Sequence, residues 1–132
     1  GITMATPEEL YAKSDFVIVH TSLFPSTFHL VGAEQFKAMK NTAFIINAAR
    51  GSAIKQNELV EALKAGEIAG AGLDVYASEP LTSDEPLLAM DNVICTPHYA
   101  GFTTGAVVKT GIDVAESILS VMDGKTPKYL LK

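Results

Sequence analysis

Ala43-Phe-Ile-Ile-Asn-Ala-Ala-Arg50 is a short, unbroken run of mainly apolar residues that ends on a cation, with Gly51 directly after it. Two further stretches are built the same way. Gly70-Ala-Gly-Leu-Asp-Val-Tyr-Ala-Ser-Glu79 ends on a carboxylate, and Asn92-Val-Ile-Cys-Thr-Pro-His98 ends on an imidazole. Short continuous apolar runs are the mark of parallel strands covered on both faces. Sites in α/β proteins form beyond the carboxyl ends of such strands. The three runs therefore predict that Arg50, Glu79 and His98 meet at one edge of a sheet, where they would hold an anionic substrate and move a proton.

Around these runs, strand-like and helix-like segments alternate. Phe16-Val-Ile-Val-His20 adds a fourth strand. Thr6-Pro-Glu-Glu opens a helix, with an N-cap residue, proline in the first turn and early acids. Gly32 to Met39 is read as a short helix. Asn57 to Ala65 is a capped helix that turns Leu59, Val60 and Leu63 to one face and stops at Gly66. A last helix, from about Thr103 to Met122, repeats Val107, Val108, Ile112, Ala115, Ile118, Leu119 and Met122 at helical spacing. Four apolar strands separated by helices or long crossovers imply a parallel α/β sheet. Ala77 to Glu85 is polar and acidic, and is read as a surface loop.

The 132 residues, 48% hydrophobic and 19% charged, bound the chain to one folded domain. A net charge of −5 with ten scattered Lys and Arg argues against a nucleic-acid surface. No apolar run approaches the roughly 20 residues of a membrane span. The single cysteine, Cys95, sits within an apolar strand as a small hydrophobe and leads to the expectation of a reducing, cytoplasmic compartment.

Each candidate residue has a chemical rationale beside a plainer one. The planar fork of Arg50 suits bidentate contact with a carboxylate, although it would equally cap a strand against a surface acid. His98 follows Pro97 and precedes the small pair Ala100-Gly101, next to which a ligand can approach the backbone closely. An imidazole exchanges a proton near neutrality, and a neighbouring carboxylate, with Glu79 the natural candidate, orients the ring. Asp74 lies among apolar residues, where a carboxylate is costly unless satisfied. It accepts a hydrogen bond either from a loop backbone or from a bound amide. His20 ends a strand and is placed to line a cleft, whereas His29 lies in a polar loop. Three histidines without short ligand spacing or a cysteine partner make no metal site.

Taken together, Ser14-Asp-Phe-Val-Ile-Val-His20 with Pro25-Ser-Thr27, Ile46-Asn-Ala-Ala-Arg-Gly51, Ala69-Gly-Ala-Gly-Leu-Asp-Val-Tyr-Ala-Ser-Glu-Pro80 and Asn92-Val-Ile-Cys-Thr-Pro-His98 resemble the D-isomer-specific 2-hydroxyacid dehydrogenases, in order and in spacing. The resemblance covers nearly the whole chain. It implies the second half of a doubly wound, Rossmann-like parallel sheet with flanking helices. In that family setting Arg50 would hold the substrate carboxylate and carbonyl, His98 would be the acid/base, and Glu79 would pair with His98. Asp74 would take the nicotinamide carboxamide. His20, Thr21, Ala48, Ala49, Arg50, His98, Ala100 and Gly101 would line NAD or NADP. The reaction implied is reversible hydride transfer between NAD(P)H and a small 2-oxo acid, in a parent protein that is a homodimer. A non-enzymatic dinucleotide-sensing corepressor or adaptor on the same scaffold is the alternative.

Some positions depart from the family pattern. Ser22 stands where proline usually follows the strand-end His-Xaa pair, Tyr99 stands where an aliphatic residue is common after the histidine, and Gly105 softens the start of the last helix. The chain also lacks the Gly-rich turn that receives pyrophosphate and the acid that binds ribose. Gly70-Ala-Gly-Leu does not serve as that turn, because more strand follows it. The expectation is therefore residues 1–132 as the C-terminal portion of a dinucleotide-binding domain, inactive alone, with the Gly-rich half and the substrate domain absent. Its first strand would present an apolar edge that favours association.

Overall fold

The structure, a computed structural model, describes residues 1–130. They fall into two compact units, Gly1–His98 and the segment from Tyr99 onward. The first unit runs α1 (Pro7–Lys13), β1 (Phe16–Val19), α2 (Ala33–Ala38), β2 (Phe44–Asn47), α3 (Gln56–Ala65), β3 (Gly70–Leu73) and β4 (Val93–Cys95), with short 3-10 turns at Gly51–Ala53 and Pro86–Ala89. The strands form one parallel sheet in the order β1-β2-β3-β4. The α/β reading is confirmed.

Local chemistry starts and stops these elements. The Thr6 hydroxyl accepts from the Glu9 amide, and Glu9 reaches back to the Thr6 amide, so α1 opens with a reciprocal cap. Gly66, at φ +69°, ends α3 in the left-handed conformation. The helix begins at Gln56, so Asn57 lies inside it and does not cap it; Lys55 precedes the first turn without a side-chain cap, and the Gln56 side-chain oxygen accepts from the Ala77 amide at 2.8 Å. The strands are shorter than the apolar runs. β3 stops at Leu73 and β4 at Cys95, so Asp74, Tyr76 and Thr96 lie in the connections beyond the ladder.

Strand pairing sorts the apolar residues into two faces. Val17, Ile45, Ala71 and Val93 are in register across the sheet, as are Val19, Asn47, Leu73 and Cys95. These rows face the core, where Phe36 and Met39 next to α2, Leu59, Val60 and Leu63 of α3, Ile68 and Leu87 pack against them. Burying a residue such as Phe36 contributes about 1.5–3 kcal/mol. The alternate rows, Phe16 with Phe44 and Ile18 with Ile46 and Ile94, point the other way. Phe16, Ile18 and Ile94 are exposed, and the Phe16 and Phe44 rings stack at 5.6 Å. The continuous apolar pattern of the strands suggested cover on both faces; this unit covers one.

In the second unit, α4 (Thr104–Met122) is capped by the Thr103 hydroxyl, which accepts from the Ala106 amide at 3.1 Å, and Gly124 follows its end at φ +70°. Lys109 and Asp113 pair across one turn. No residue of α4 is buried.

The exposed rows of the sheet generate a prediction. Ile18→Lys puts a charge on that face, and is expected to lower self-association of the chain in sedimentation experiments while leaving its far-ultraviolet circular dichroism unchanged. Equal association of both chains would show that this face is not the one that sticks.

Candidate active site

Because Val19, Asn47, Leu73 and Cys95 are register partners, the four parallel strands end at one level. The residues after them share one edge of the sheet. At the ends of β1 and β2, His20, Thr21, Ser22 and Leu23 face Ala48, Ala49 and Arg50 across a cavity of about 410 Å³. At the ends of β3 and β4, Tyr76, Glu79, Thr96 and His98 line another of about 590 Å³, whose apolar wall includes Pro80, Leu81 and Leu88. A larger cleft, about 650 Å³ beside α2 and α3, is lined by none of the candidate site residues.

The loop carrying Arg50 is held from below. Asn47 is buried at the end of β2; its amide nitrogen donates to the Arg50 carbonyl at 3.0 Å and its amide oxygen accepts from the Ala49 backbone at 3.1 Å. The long β1–α2 connection is pinned to the same loop by the His29 amide on the Ser52 carbonyl (2.8 Å) and the Val31 amide on the Ala53 carbonyl (3.1 Å). The Arg50 side chain is exposed and donates to the Ala49 carbonyl at 2.7 Å. A Cβ at Gly51 would collide with the Tyr76 carbonyl oxygen, so glycine is needed for the Arg50 loop to pack on the backbone beyond β3.

Glu79 and His98 meet directly. Glu79 Oε2 lies 2.7 Å from His98 Nδ1, and Glu79 Oε1 accepts from the Tyr76 amide at 2.9 Å. The imidazole contact, then the Tyr76 amide, hold the Glu79 carboxyl below its ordinary value. A carboxylate that stays ionised only accepts, so Nδ1 carries the proton of this contact and Nε2 is the nitrogen left for chemistry. His98 itself sits at φ +60°, the left-handed region that non-glycine residues rarely occupy and that is enriched at functional sites.

Asp74 is 6% exposed just beyond β3. Its amide donates to the Asn47 carbonyl at 2.9 Å, and its Oδ1 accepts from the Thr96 hydroxyl at 2.5 Å. A carboxylate held at the sheet edge has the chemistry to accept from a ligand amide, and in that respect the residues present fit a nicotinamide carboxamide. Thr96, Tyr76 and Asn47 were not singled out from the sequence. The available signal was polar groups inside apolar runs, which was applied to Asp74 and equally marks Asn47.

Ala100 and Gly101 belong to the second unit, in a turn closed by the Phe102 amide on the Tyr99 carbonyl at 2.8 Å. His29 is exposed to solvent, with its ring stacked on the likewise exposed Phe28 at 3.9 Å. Gly70 is part of β3 and not a phosphate turn; a Cβ there would collide with the Asn92 carbonyl oxygen.

Comparison with known proteins accords with this geometry. Residues 1–100 match the family model described as the D-isomer specific 2-hydroxyacid dehydrogenase, NAD binding domain. A glyoxylate reductase of Korarchaeum cryptofilum is 40% identical over 131 residues, spanning 99% of this chain and 40% of that protein. A D-3-phosphoglycerate dehydrogenase of Methanocaldococcus jannaschii is 46% identical over 117 residues, 89% of this chain and 22% of that one. The NAD-complexed crystal structure of a D-isomer specific 2-hydroxyacid dehydrogenase from Lactobacillus delbrueckii superposes with a TM-score of 0.88 at 34% identity, covering 98% of this chain and 43% of that one. The chain thus spans less than half the length of each of these relatives. With the family model matched over most of its length, the chain belongs to the D-isomer-specific 2-hydroxyacid dehydrogenase family.

Proposed function

We propose that this chain is the C-terminal part of the cofactor domain of a longer NAD(P)-dependent 2-hydroxyacid dehydrogenase and carries that enzyme's catalytic side chains. The observation that supports it best is the 2.7 Å contact between Glu79 and His98, on the sheet edge that also carries Arg50. The shorter span of this chain relative to its relatives is consistent with a phosphate-binding turn and a substrate domain supplied elsewhere in the polypeptide.

The division of labour follows from the groups themselves. Arg50 binds the carboxylate of a small 2-oxo acid and, through its fork, stabilises the charge that grows on the neighbouring carbonyl oxygen. His98 delivers the Nε2 proton to that oxygen as hydride reaches the carbonyl carbon, and takes it back in the reverse direction. Glu79 keeps the ring oriented and offsets its positive charge. Asp74 accepts from the carboxamide and so orients the cofactor ring. His20, Thr21, Ala48 and Ala49 line the cofactor's path along the strand ends. When bound, the nicotinamide supplies the hydride for reduction and accepts it in oxidation. The parent protein acts as a homodimer in the cytoplasm, with NAD or NADP as cofactor and neither nucleic acid nor membrane as partner. The corepressor alternative draws no support from the relatives named above, which are reductases and dehydrogenases.

Three outcomes are expected. In the complete polypeptide, assayed with glyoxylate, hydroxypyruvate or phosphohydroxypyruvate, His98→Ala lowers kcat by roughly 10²-fold or more; undiminished turnover would overturn the assignment. The 132-residue chain alone shows no saturable NADH binding below millimolar concentration by calorimetry, and tight binding would show it to be self-sufficient. By carboxyl ¹³C NMR, Glu79 titrates below the ordinary glutamate value, and His98→Ala moves it upward. Because this folded value is depressed, the stability Glu79 contributes is fully present above the ordinary glutamate value and is lost as pH falls through the depressed one.

A further inference from the structure

We propose that Thr96 is a positioning residue for the nicotinamide subsite, acting through the Asp74 carboxylate. The proposal rests on the reading of Asp74 as the group that takes the carboxamide. Its own support is a set of tethers around one residue. The Thr96 amide donates to the Leu73 carbonyl at 2.9 Å, which extends the β3–β4 pairing by one step beyond the ladder. The Thr96 carbonyl oxygen lies 2.8 Å from the Tyr76 hydroxyl, which is also 2.9 Å from the Leu73 carbonyl oxygen. Both backbone groups are tied, so the residue is fixed in place at the end of β4, and its hydroxyl donates to Asp74 Oδ1.

Asp74 is held from the other side as well, by its amide on the Asn47 carbonyl of β2. Its carboxylate is therefore set between two strands, with the Thr96 hydroxyl fixing its rotation. Tyr76 makes the arrangement durable. It is buried, and desolvation pushes its phenol well above the ordinary value, so it remains a donor at any working pH. The Tyr76 backbone amide also holds Glu79. One residue beyond β3 thus anchors both the Thr96–Asp74 contact and the Glu79–His98 contact, and sets the carboxamide holder at a fixed distance from the acid/base. A carboxylate that rotates freely makes a poorer acceptor for a rigid amide, because the ordering has to occur on binding.

The test separates the nicotinamide from the rest of the cofactor. In the complete polypeptide, dissociation constants for NADH and for ADP-ribose, which lacks the nicotinamide, are measured by calorimetry for wild type, Thr96→Val, Thr96→Ser and Asp74→Ala. The expected result is that Thr96→Val weakens NADH roughly tenfold with ADP-ribose unchanged, Thr96→Ser binds as wild type, and Asp74→Ala weakens NADH selectively. Equal weakening of both ligands by Thr96→Val would assign Thr96 a structural role and overturn the proposal. Selective weakening by Asp74→Ala with none by Thr96→Val would overturn the proposal and leave the reading of Asp74 standing. No selective effect from Asp74→Ala would overturn that reading and the proposal with it. Circular dichroism checks folding, and Thr96→Ala replaces Thr96→Val if the valine variant does not fold.

Discussion

The site depends on parallel register. Val19, Asn47, Leu73 and Cys95 lie side by side, so four chain segments leave the sheet at the same height and in the same direction. Parallel pairing needs a crossover between each pair of strands, and these crossovers bury Phe36, Leu59 and Leu63 on one face of the sheet. A slip of one residue in any strand would send its buried side chains to the opposite face and move its terminal functional group out of line. The core that resists such a slip is thus also what aligns Arg50, Glu79 and His98.

Beyond the sheet, order comes from polar contacts between connections. Tyr76 is the centre of these. Its hydroxyl joins the ends of β3 and β4, its amide holds Glu79, and its backbone receives Gly51 from the Arg50 loop at a distance that excludes any side chain. Asn47 has a similar role one strand away, bracing the Arg50 loop from within the core. Catalytic groups on loops need such support to keep their geometry. His98 carries part of the cost as a left-handed backbone, and its contact with Glu79 helps to hold it there.

Much of this was legible in the sequence. The apolar runs located the strands, capping residues located the start of α1 and the end of α3, helical spacing located α4, and the ends of the apolar runs singled out Arg50, Glu79 and His98. The misreadings have a common physical origin. The runs outlast the strands because β3 and β4 stop pairing at Leu73 and Cys95 while apolar and polar residues continue into loops that fold back on the sheet. The need for glycine at position 51 is likewise hidden, because a sequence shows the missing side chain but not the backbone that occupies its place. The exposed face that carries Phe16, Ile18 and Ile94 shows the reverse case, a pattern suited to two covered faces in a unit that covers one.

The sequence by itself determined which residues are strand, which are helix and which functional side chains follow the strands, because periodicity and capping are local properties of the chain. Tertiary structure gave the expected Glu79–His98 pair its 2.7 Å contact across nineteen positions, and it alone decided that Thr96 holds Asp74 across twenty-two and that Tyr76 anchors both. Those contacts join the connections after different strands. They exist only once register has brought the strand ends level, and the local patterns that mark the strand ends carry neither the Thr96–Asp74 contact nor the place of Tyr76.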